Sequence, residues 1–262
     1  VFAAVMIILN GLVGGCILIG ALRHHEQTFQ QSGVSASLAT LSTLTVLTLV
    51  LPNFAVSERG PYYTESQLAF VAIVSLLLYL TFVSVQTMRH RDYFLPPEAN
   101  ADEDSHAEPP SARLATISAV ALMACLVSVV LLAKALAPGI EQAVADAGAP
   151  QAIVGVLIAA LVLLPESVAA LRAAWAHRLQ TSLNLALGSA VASIGLTIPA
   201  VAVLSLVEQL PLALGLNPRE IVLLSLTLLV ATSSLATGRT TVLQGMVHLV
   251  IFGVFAFTTL VP

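Results

Sequence analysis

Eight stretches of the sequence are apolar and are long enough, or nearly so, to cross a lipid bilayer as a helix, and together they occupy most of its 262 residues. The hydrocarbon core of a bilayer is about 30 Å thick, so a crossing helix needs about 20 apolar residues. Strand-length alternation of polar and apolar residues, the pattern of a membrane barrel, does not occur in the sequence. The predicted spans are Val1–Leu22, Ala36–Val56, Gln67–Val85, Leu114–Leu136, Ala152–Leu171, Leu183–Val207, Ile221–Leu235 and Thr241–Val261.

The composition agrees with an all-α polytopic membrane protein. Hydrophobic residues make up 58% of the sequence and charged residues 9%, which excludes an ordinary soluble domain. The ten Lys and Arg residues are scattered singly and the net charge is −4, so no basic patch indicates nucleic-acid binding. The sequence contains no phosphate-binding loop, zinc-helix motif or Ser/His/Asp set, and it therefore predicts neither an enzyme nor a cofactor.

The distribution of Arg and Lys predicts the orientation of the chain. Seven of these residues fall in the first, third, fifth and seventh connections between spans, and three fall in the other connections. Cytoplasmic connections retain positive charge, so the odd-numbered connections are predicted to be cytoplasmic. The sequence begins at Val1 without a methionine, and we interpret it as truncated at its N-terminus, with upstream spans missing.

The third connection, residues 91–113, differs in composition from the others. It holds six of the fourteen carboxylates and four prolines, a composition that cannot build a packed core. It is predicted to be a cytoplasmic linker between two halves, residues 1–90 and 114–262. A low-affinity cation sensor is the less favoured alternative, because the connection lacks the spaced glycine and terminal glutamate of an EF-hand loop. The sensor would consist of Asp102, Glu103, Asp104, His106 and Glu108.

Glu166 is the one acidic residue well inside a predicted span, in the stretch LVLLPESVAAL. Ionised carboxylates at membrane depth are rare, and they tend to face a cavity, a partner or an ion pathway. Pro165 lacks a backbone N–H, so it is expected to interrupt the helix and to free the carbonyl oxygen of Leu161. Transporters build cation sites from broken helices of this kind. The alternative is an ion pair between Glu166 and Arg172 near the membrane surface.

The next span carries small and hydroxyl residues on one face, in LNLALGSAVASIGLTIP. Ser189 and Ser193 are four residues apart and therefore share a face of a helix. Both are candidate cation ligands, with Ser189 favoured, and Gly188 would allow a neighbouring backbone to approach. Plain helix packing through small residues is the alternative. Pro199 is expected to kink this helix as well.

Two further polar residues lie inside predicted spans. Asn10, in ILNGLVGGC, is a weaker candidate cation ligand through its side-chain oxygen. Gly11 and Gly15 beside it form a GxxxG pattern, which in a membrane more often indicates packing than binding. His248, in LQGMVHLVIF, is interpreted as a neutral histidine bonded to a neighbouring helix in preference to a proton relay.

With these residues identified, the sequence resembles a cation:proton antiporter of the calcium/cation exchanger superfamily, of the bacterial calcium(sodium)/proton antiporter type. The resemblance covers essentially the whole sequence. It rests on Pro165–Leu204, which is similar to the second repeat of the family, on Gln67–His90, on the acidic connection and on Gly238–Phe252. It implies that Glu166 coordinates the cation and exchanges it for protons, and that Gly188 and Ser189 line the same site.

The resemblance also implies a fold of two inverted five-helix repeats. The second repeat is expected to be complete in residues 114–262, whereas only the last three helices of the first repeat are present. The glutamate of the first repeat would lie in the missing part. The family's common Gly-Asn before the glutamate is replaced here by Leu-Leu-Pro, and Ala192 stands where many members carry glutamine.

The predicted function is secondary active antiport in which a cation is exported in exchange for protons that compete with it for Glu166. Ca²⁺ is the first expectation, with Na⁺ and K⁺ as alternatives, because oxygen ligands bind all three. The other predicted partner is the lipid bilayer, and the sequence is compatible with a homo-oligomer. The resemblance implies a bacterial inner membrane. The alternative class is a channel or a structural membrane protein in which Glu166 forms only an ion pair.

Overall fold

The computed structural model describes residues 1–55, 60–95 and 111–261. In this part of the chain eight helices are long and apolar enough to cross a membrane, which confirms the eight predicted spans and the all-α class. They are α1 (Phe2–His24), α2 (Gln31–Phe54), α3 (Glu65–Arg89), α4 (Ala112–Asp146), α5 (Ala152–Trp175), α6 (Leu179–Glu208), α7 (Pro218–Leu235) and α8 (Val242–Leu260).

Local sequence explains where three of these helices begin. Thr64 and Gln67 form a reciprocal capping box at the start of α3, and Asn217 and Glu220 form one at the start of α7. Thr241 caps α8 in the same way. Each box satisfies backbone N–H groups that have no partner within the helix, which matters most where the helix end enters lipid.

Short turns follow α3 before the predicted linker. Arg91–Phe94 forms a 3₁₀ turn, and α4 begins at Ala112 with Ser111 as its cap. The acidic residues of the proposed sensor, Asp102, Glu103, Asp104, His106 and Glu108, lie outside the described residues. The division into residues 1–90, 91–113 and 114–262 therefore stays a prediction.

The expectations for α4 and for Pro165 need correction. α4 has 35 residues and ends at Asp146, so Lys134, one of the three basic residues counted in the even-numbered connections, lies within the helix. At 1.5 Å per residue this helix is about 52 Å long, well beyond the thickness of the hydrocarbon core. α5 continues through Pro165 and α6 continues through Pro199. The expected helix break at Pro165 is absent, because a proline removes one hydrogen bond and the remaining bonds of the helix persist.

Departures from α-helical geometry occur elsewhere. Three π-helical segments interrupt α1 at Ile7–Leu12, α2 at Val46–Val50 and α3 at Val85–Arg89. In such a segment the backbone bonds run from residue i to i+5, which widens the helix and re-aims its side chains. The segment in α1 contains Asn10.

The odd-numbered connections meet at one end of the molecule, here called the odd end. A short antiparallel pair joins β1 (Gln27–Thr28) in the first connection to β2 (Arg239–Thr240) in the seventh. Nε2 of Gln27 also lies 3.1 Å from Nδ1 of His177 in the fifth connection. Asn184 near the start of α6 donates to the carbonyl of Phe94 in the third connection. This convergence is what a chain that crosses the membrane at each span requires.

The second and sixth connections meet at the opposite end, here called the even end. The backbone N–H groups of Leu214 and Gly215 donate to the carbonyl of Pro61 at 3.2 and 3.1 Å. Tyr63 donates to the carbonyl of Leu47 at 2.6 Å, and burial raises the pKa of Tyr63 to about 12. The first, third, fifth and seventh connections therefore lie at one end of the helices, and the second and sixth lie at the other.

α6 lies at the centre of the bundle and packs against α2, α3 and α5. Its fully buried residues repeat at helical spacing, with Leu183, Leu187, Ile194 and Ile198 on the side facing the core. α1 packs against α5 on one side and α8 on the other. By contrast, most described side chains of α4 are exposed, which suits a helix that faces lipid.

The contact between α1 and α8 is close because glycines line it. A Cβ placed on Gly245 would lie 2.7 Å from the backbone nitrogen of Leu18, and one placed on Gly14 would lie 2.7 Å from Cβ of His248. In lipid there is no hydrophobic driving force for helices to associate, so they associate through van der Waals packing. Small residues allow the close approach that this packing needs.

We expect Gly245→Ala to destabilise the protein by about 1–3 kcal/mol, because the new methyl group meets backbone atoms of Leu18 that cannot move aside. The thermal unfolding midpoint of the purified full-length protein in detergent measures the effect. Gly253→Ala on the same helix is the matched control, since its Cβ would meet no heavy atom within 4 Å. Equal midpoints for the two variants would contradict the packing described here.

Candidate cation site

Glu166 and Ser189 come together between α5 and α6. Ser189 Oγ donates a hydrogen bond of 2.7 Å to Glu166 Oε2. Both side chains are half-buried. The bond joins two helices that run in opposite directions, because α5 ends at the odd end and α6 starts there. The structure thus brings together the carboxylate and the favoured serine.

The other two candidates on α6 have different surroundings. Gly188 is open, since a Cβ placed on it would meet no heavy atom within 4 Å, so it does not mediate a close helix contact here. Within the described part of the chain, Ser193 forms no hydrogen bond with Glu166. Four residues along a helix displace Ser193 by about 6 Å from Ser189, and only one of the two hydroxyls bonds to the carboxylate.

The ion pair between Glu166 and Arg172 is not formed. The polar contact of Glu166 among the described residues is with Ser189, and Arg172 is an exposed residue near the odd end of α5. At that end a neighbouring cation, Arg23, lies over the ring of Trp175 at 4.5 Å from its centroid. Arg23 therefore interacts with an aromatic ring, and Arg172 is exposed and forms no ion pair with Glu166.

Asn10 belongs to a second polar cluster on the other side of α1. It is completely buried, and its Nδ2 donates to Thr227 Oγ1 of α7 at 2.9 Å. Its Oδ1 lies 3.4 Å from Nδ1 of His248 on α8. His248 in turn lies 2.9 Å from Ser234 Oγ through its Nε2. The structure does not join Asn10 to the Glu166–Ser189 pair by a hydrogen bond.

Thr227 and Ser234 were not among the residues selected from the sequence. They are seven residues apart on α7, which places them on one face two turns apart. That spacing is a usable signal. It is weak by itself because serine and threonine are common in membrane helices, where their hydroxyls bond to the carbonyls of their own helix.

The chemistry of the site follows from its oxygen atoms. Because Ser189 Oγ donates to Glu166 Oε2, the hydroxyl lone pairs and Glu166 Oε1 remain available to a further ligand. Carboxylate and hydroxyl oxygens bind hard cations such as Na⁺ and Ca²⁺. Among the described residues no group of three His, Cys, Asp or Glu side chains gathers at one place, so one carboxylate is the acidic component of this site in the described chain.

A family model described as sodium/calcium exchanger protein matches residues 1–88 and 117–261. The residues between these two segments, 89–116, include the whole of the predicted linker. Among solved structures, native YfkE superposes with a TM-score of 0.75 at 16% sequence identity, over 100% of this chain and 73% of that one. This likeness concerns the fold.

Two relatives are similar over nearly the whole chain. The protein y4hA of Sinorhizobium fredii, an ionic transporter by name, is 50% identical over 262 residues, which are 100% of this chain and 71% of the relative. The sodium-potassium/proton antiporter ChaA of Escherichia coli is 31% identical over 259 residues, which are 98% of this chain and 70% of the relative.

Proposed function

Because the chain belongs to the sodium/calcium exchanger family, we propose that Glu166 and Ser189 form the site at which it exchanges a cation for protons. The family consists of transporters, so the protein is an integral membrane cation exchanger and not an enzyme. The observation that carries the proposal is the 2.7 Å hydrogen bond from Ser189 Oγ to Glu166 Oε2. It places a hydroxyl oxygen beside a carboxylate within a membrane-spanning bundle.

Coupling arises from competition for one carboxylate. An ionised Glu166 attracts a cation, and its oxygens together with Ser189 Oγ replace part of the water that the cation loses. A proton on Glu166 removes the negative charge, so the cation leaves. The Ser189 hydroxyl can rotate and accept a hydrogen bond from the protonated carboxyl group. The pair can therefore hold either ligand with its polar atoms satisfied.

The position of the pair suits alternating access. The connections gather at two separate ends of the bundle, and Glu166 and Ser189 lie on helices that join these ends. A site within such a bundle can open to one end at a time when helices move relative to each other. We assign the odd end to the cytoplasm, because seven of the ten basic residues were found in the connections that lead to it.

The cation we propose first is Ca²⁺, with Na⁺ and K⁺ as the tested alternatives. The family description names sodium and calcium, whereas the Escherichia coli relative is named for sodium and potassium exchanged for protons. Protons are thus the expected counter-ion, and the cation is what an experiment must distinguish. Flux of each cation into vesicles at two imposed pH gradients makes the distinction, and flux that ignores the pH gradient would instead indicate a channel.

We expect Glu166→Gln in the full-length protein to abolish proton-coupled cation flux, because the amide keeps the shape of the side chain but can neither carry the charge nor exchange a proton. The measurement is cation-dependent proton movement in reconstituted vesicles, with membrane insertion checked in parallel. Arg172→Gln is the matched control on the same helix. It should transport normally, since Arg172 forms no ion pair with Glu166. Undiminished flux in the Glu166 variant would overturn the proposed function.

We expect Ser189→Ala to raise the cation KM about tenfold, because it removes the hydroxyl bonded to Glu166, a change worth about 1–2 kcal/mol. Ser193→Ala removes a hydroxyl from the same face of α6 without affecting that bond, and its KM should stay within about twofold of the parent. The comparison uses initial rates over a range of cation concentrations at one pH. Equal effects of the two substitutions would argue against Ser189 as a ligand.

A further inference from the structure

A buried chain of hydrogen bonds links three helices next to the cation site. It runs from Thr227 on α7 to Asn10 on α1, then to His248 on α8 and back to Ser234 on α7. Asn10, Thr227 and His248 are completely buried, and Ser234 is 8% exposed. A polar side chain without a partner is costly at this depth, so each member depends on the others.

The contacts of Asn10 favour one tautomer of the histidine. Asn10 Nδ2 donates to Thr227, so Asn10 Oδ1 is the atom that faces Nδ1 of His248 and needs a hydrogen from it. Nε2 of the neutral ring is then an acceptor, and it faces the Ser234 hydroxyl. A neutral His248 with its proton on Nδ1 fits these contacts when the Ser234 hydroxyl donates to Nε2 at 2.9 Å instead of to the carbonyl of Ala231 at 3.3 Å.

The backbone around His248 is shaped to hold it against α1. A Cβ placed on Gly14 would lie 2.7 Å from Cβ of His248 and 3.3 Å from the carbonyl oxygen of Gly245. Glycine at position 14 therefore lets the two helices approach until the ring reaches Asn10. The π-helical segment Ile7–Leu12 contains Asn10 and determines the direction of its amide.

The chain lies at about the same depth as Glu166. α1 and α5 both run from the even end to the odd end, and they meet where a Cβ placed on Gly15 would lie 3.5 Å from Cδ2 of Leu171. Asn10 precedes Gly15 by five residues, and Glu166 precedes Leu171 by five. Since the two helices are parallel and rise equally per residue, Asn10 and Glu166 occupy similar levels on neighbouring helices.

We propose that His248 is a positioning residue of the exchanger: it holds the Asn10 amide and so sets the rotation and height of α1 beside the helix that carries Glu166. The inference rests on the proposed function, in which Glu166 binds the cation. His248 itself does not touch the cation. Its contribution is to keep α1 at the rotation and height at which its surface packs on α5 beside Glu166.

Two substitutions of His248 separate its bonding atoms. In Asn the amide nitrogen lies near the position of Nδ1, so His248→Asn can still donate to Asn10, whereas Gln places its nitrogen near the position of Nε2. His248→Leu removes both contacts. Thr259→Val is the matched control on α8, because Thr259 is also buried, at 8% exposed, but its hydroxyl donates to the carbonyl of Phe255 in its own helix.

The experiment measures cation KM and maximal rate for the full-length protein in vesicles, together with the thermal unfolding midpoint. We expect His248→Gln, which loses the hydrogen bond to Asn10, and His248→Leu, which loses both contacts, to raise KM about three- to tenfold, the range for one or two hydrogen bonds between membrane helices. His248→Asn should stay near the parent, and Thr259→Val should not change KM. A merely structural role would lower the midpoint and the maximal rate and leave KM unchanged.

A double-substitution cycle tests whether His248 acts through Asn10. We expect Asn10→Ala combined with His248→Leu to raise KM no more than Asn10→Ala alone. Independent, multiplying effects would overturn the proposal, as would equal KM values for the Asn and Gln variants at position 248. If Glu166→Gln retains coupled flux, the proposed function fails. If that variant is inactive and the His248 variants keep the parental KM, only the present inference fails.

Discussion

The structure depends on one constraint: inside lipid, a polar group has to find its partner within the protein. The backbone meets the constraint by forming helices, and most hydroxyls of those helices meet it locally. Thr45 and Thr48, for example, donate to the carbonyls of Leu41 and Leu44 one turn earlier. Hydroxyls that bond to another helix therefore mark places where the sequence requires a specific contact, and Ser189 marks the place where α6 meets Glu166.

The sequence predicts the spans well because hydropathy is summed over some twenty residues, so that single exceptions do not alter the result. It predicts the ends poorly. α4 extends ten residues past Leu136 and continues through Pro138, because a helix can go on where the sequence is no longer apolar enough for lipid, and hydropathy does not report its end. The break expected at Pro165 fails for a related reason. The cost of one lost backbone bond is smaller than the cost of exposing several others in a membrane.

The sequence predicts which helices form the candidate site, but not how each helix is rotated about its axis. A carboxylate in a span and a hydroxyl face in the next span indicate that Glu166 should find an oxygen-bearing neighbour. Which serine it meets depends on how α6 turns against α5, and that is decided by packing around Leu183 and Leu187 deep in the core. Asn10 shows the same limit. Its buried amide needs hydrogen-bond partners, but α1 contacts several helices. Only the packed structure shows that the partners are Thr227 and His248.

The two polar clusters are held by contacts that differ in stiffness, which bears on how helices move during exchange. α1 and α8 are interlocked, because Gly14 and Gly245 bring backbones together and leave no room for sliding. α1 and α5 meet where the side chain of Leu171 lies next to Gly15, and at the odd end where Arg23 lies over the ring of Trp175. Such contacts rearrange at lower cost than an interlocked backbone with buried hydrogen bonds. We therefore expect a displacement that alters access to Glu166 to move α5 relative to α1, α7 and α8, with these three helices staying together.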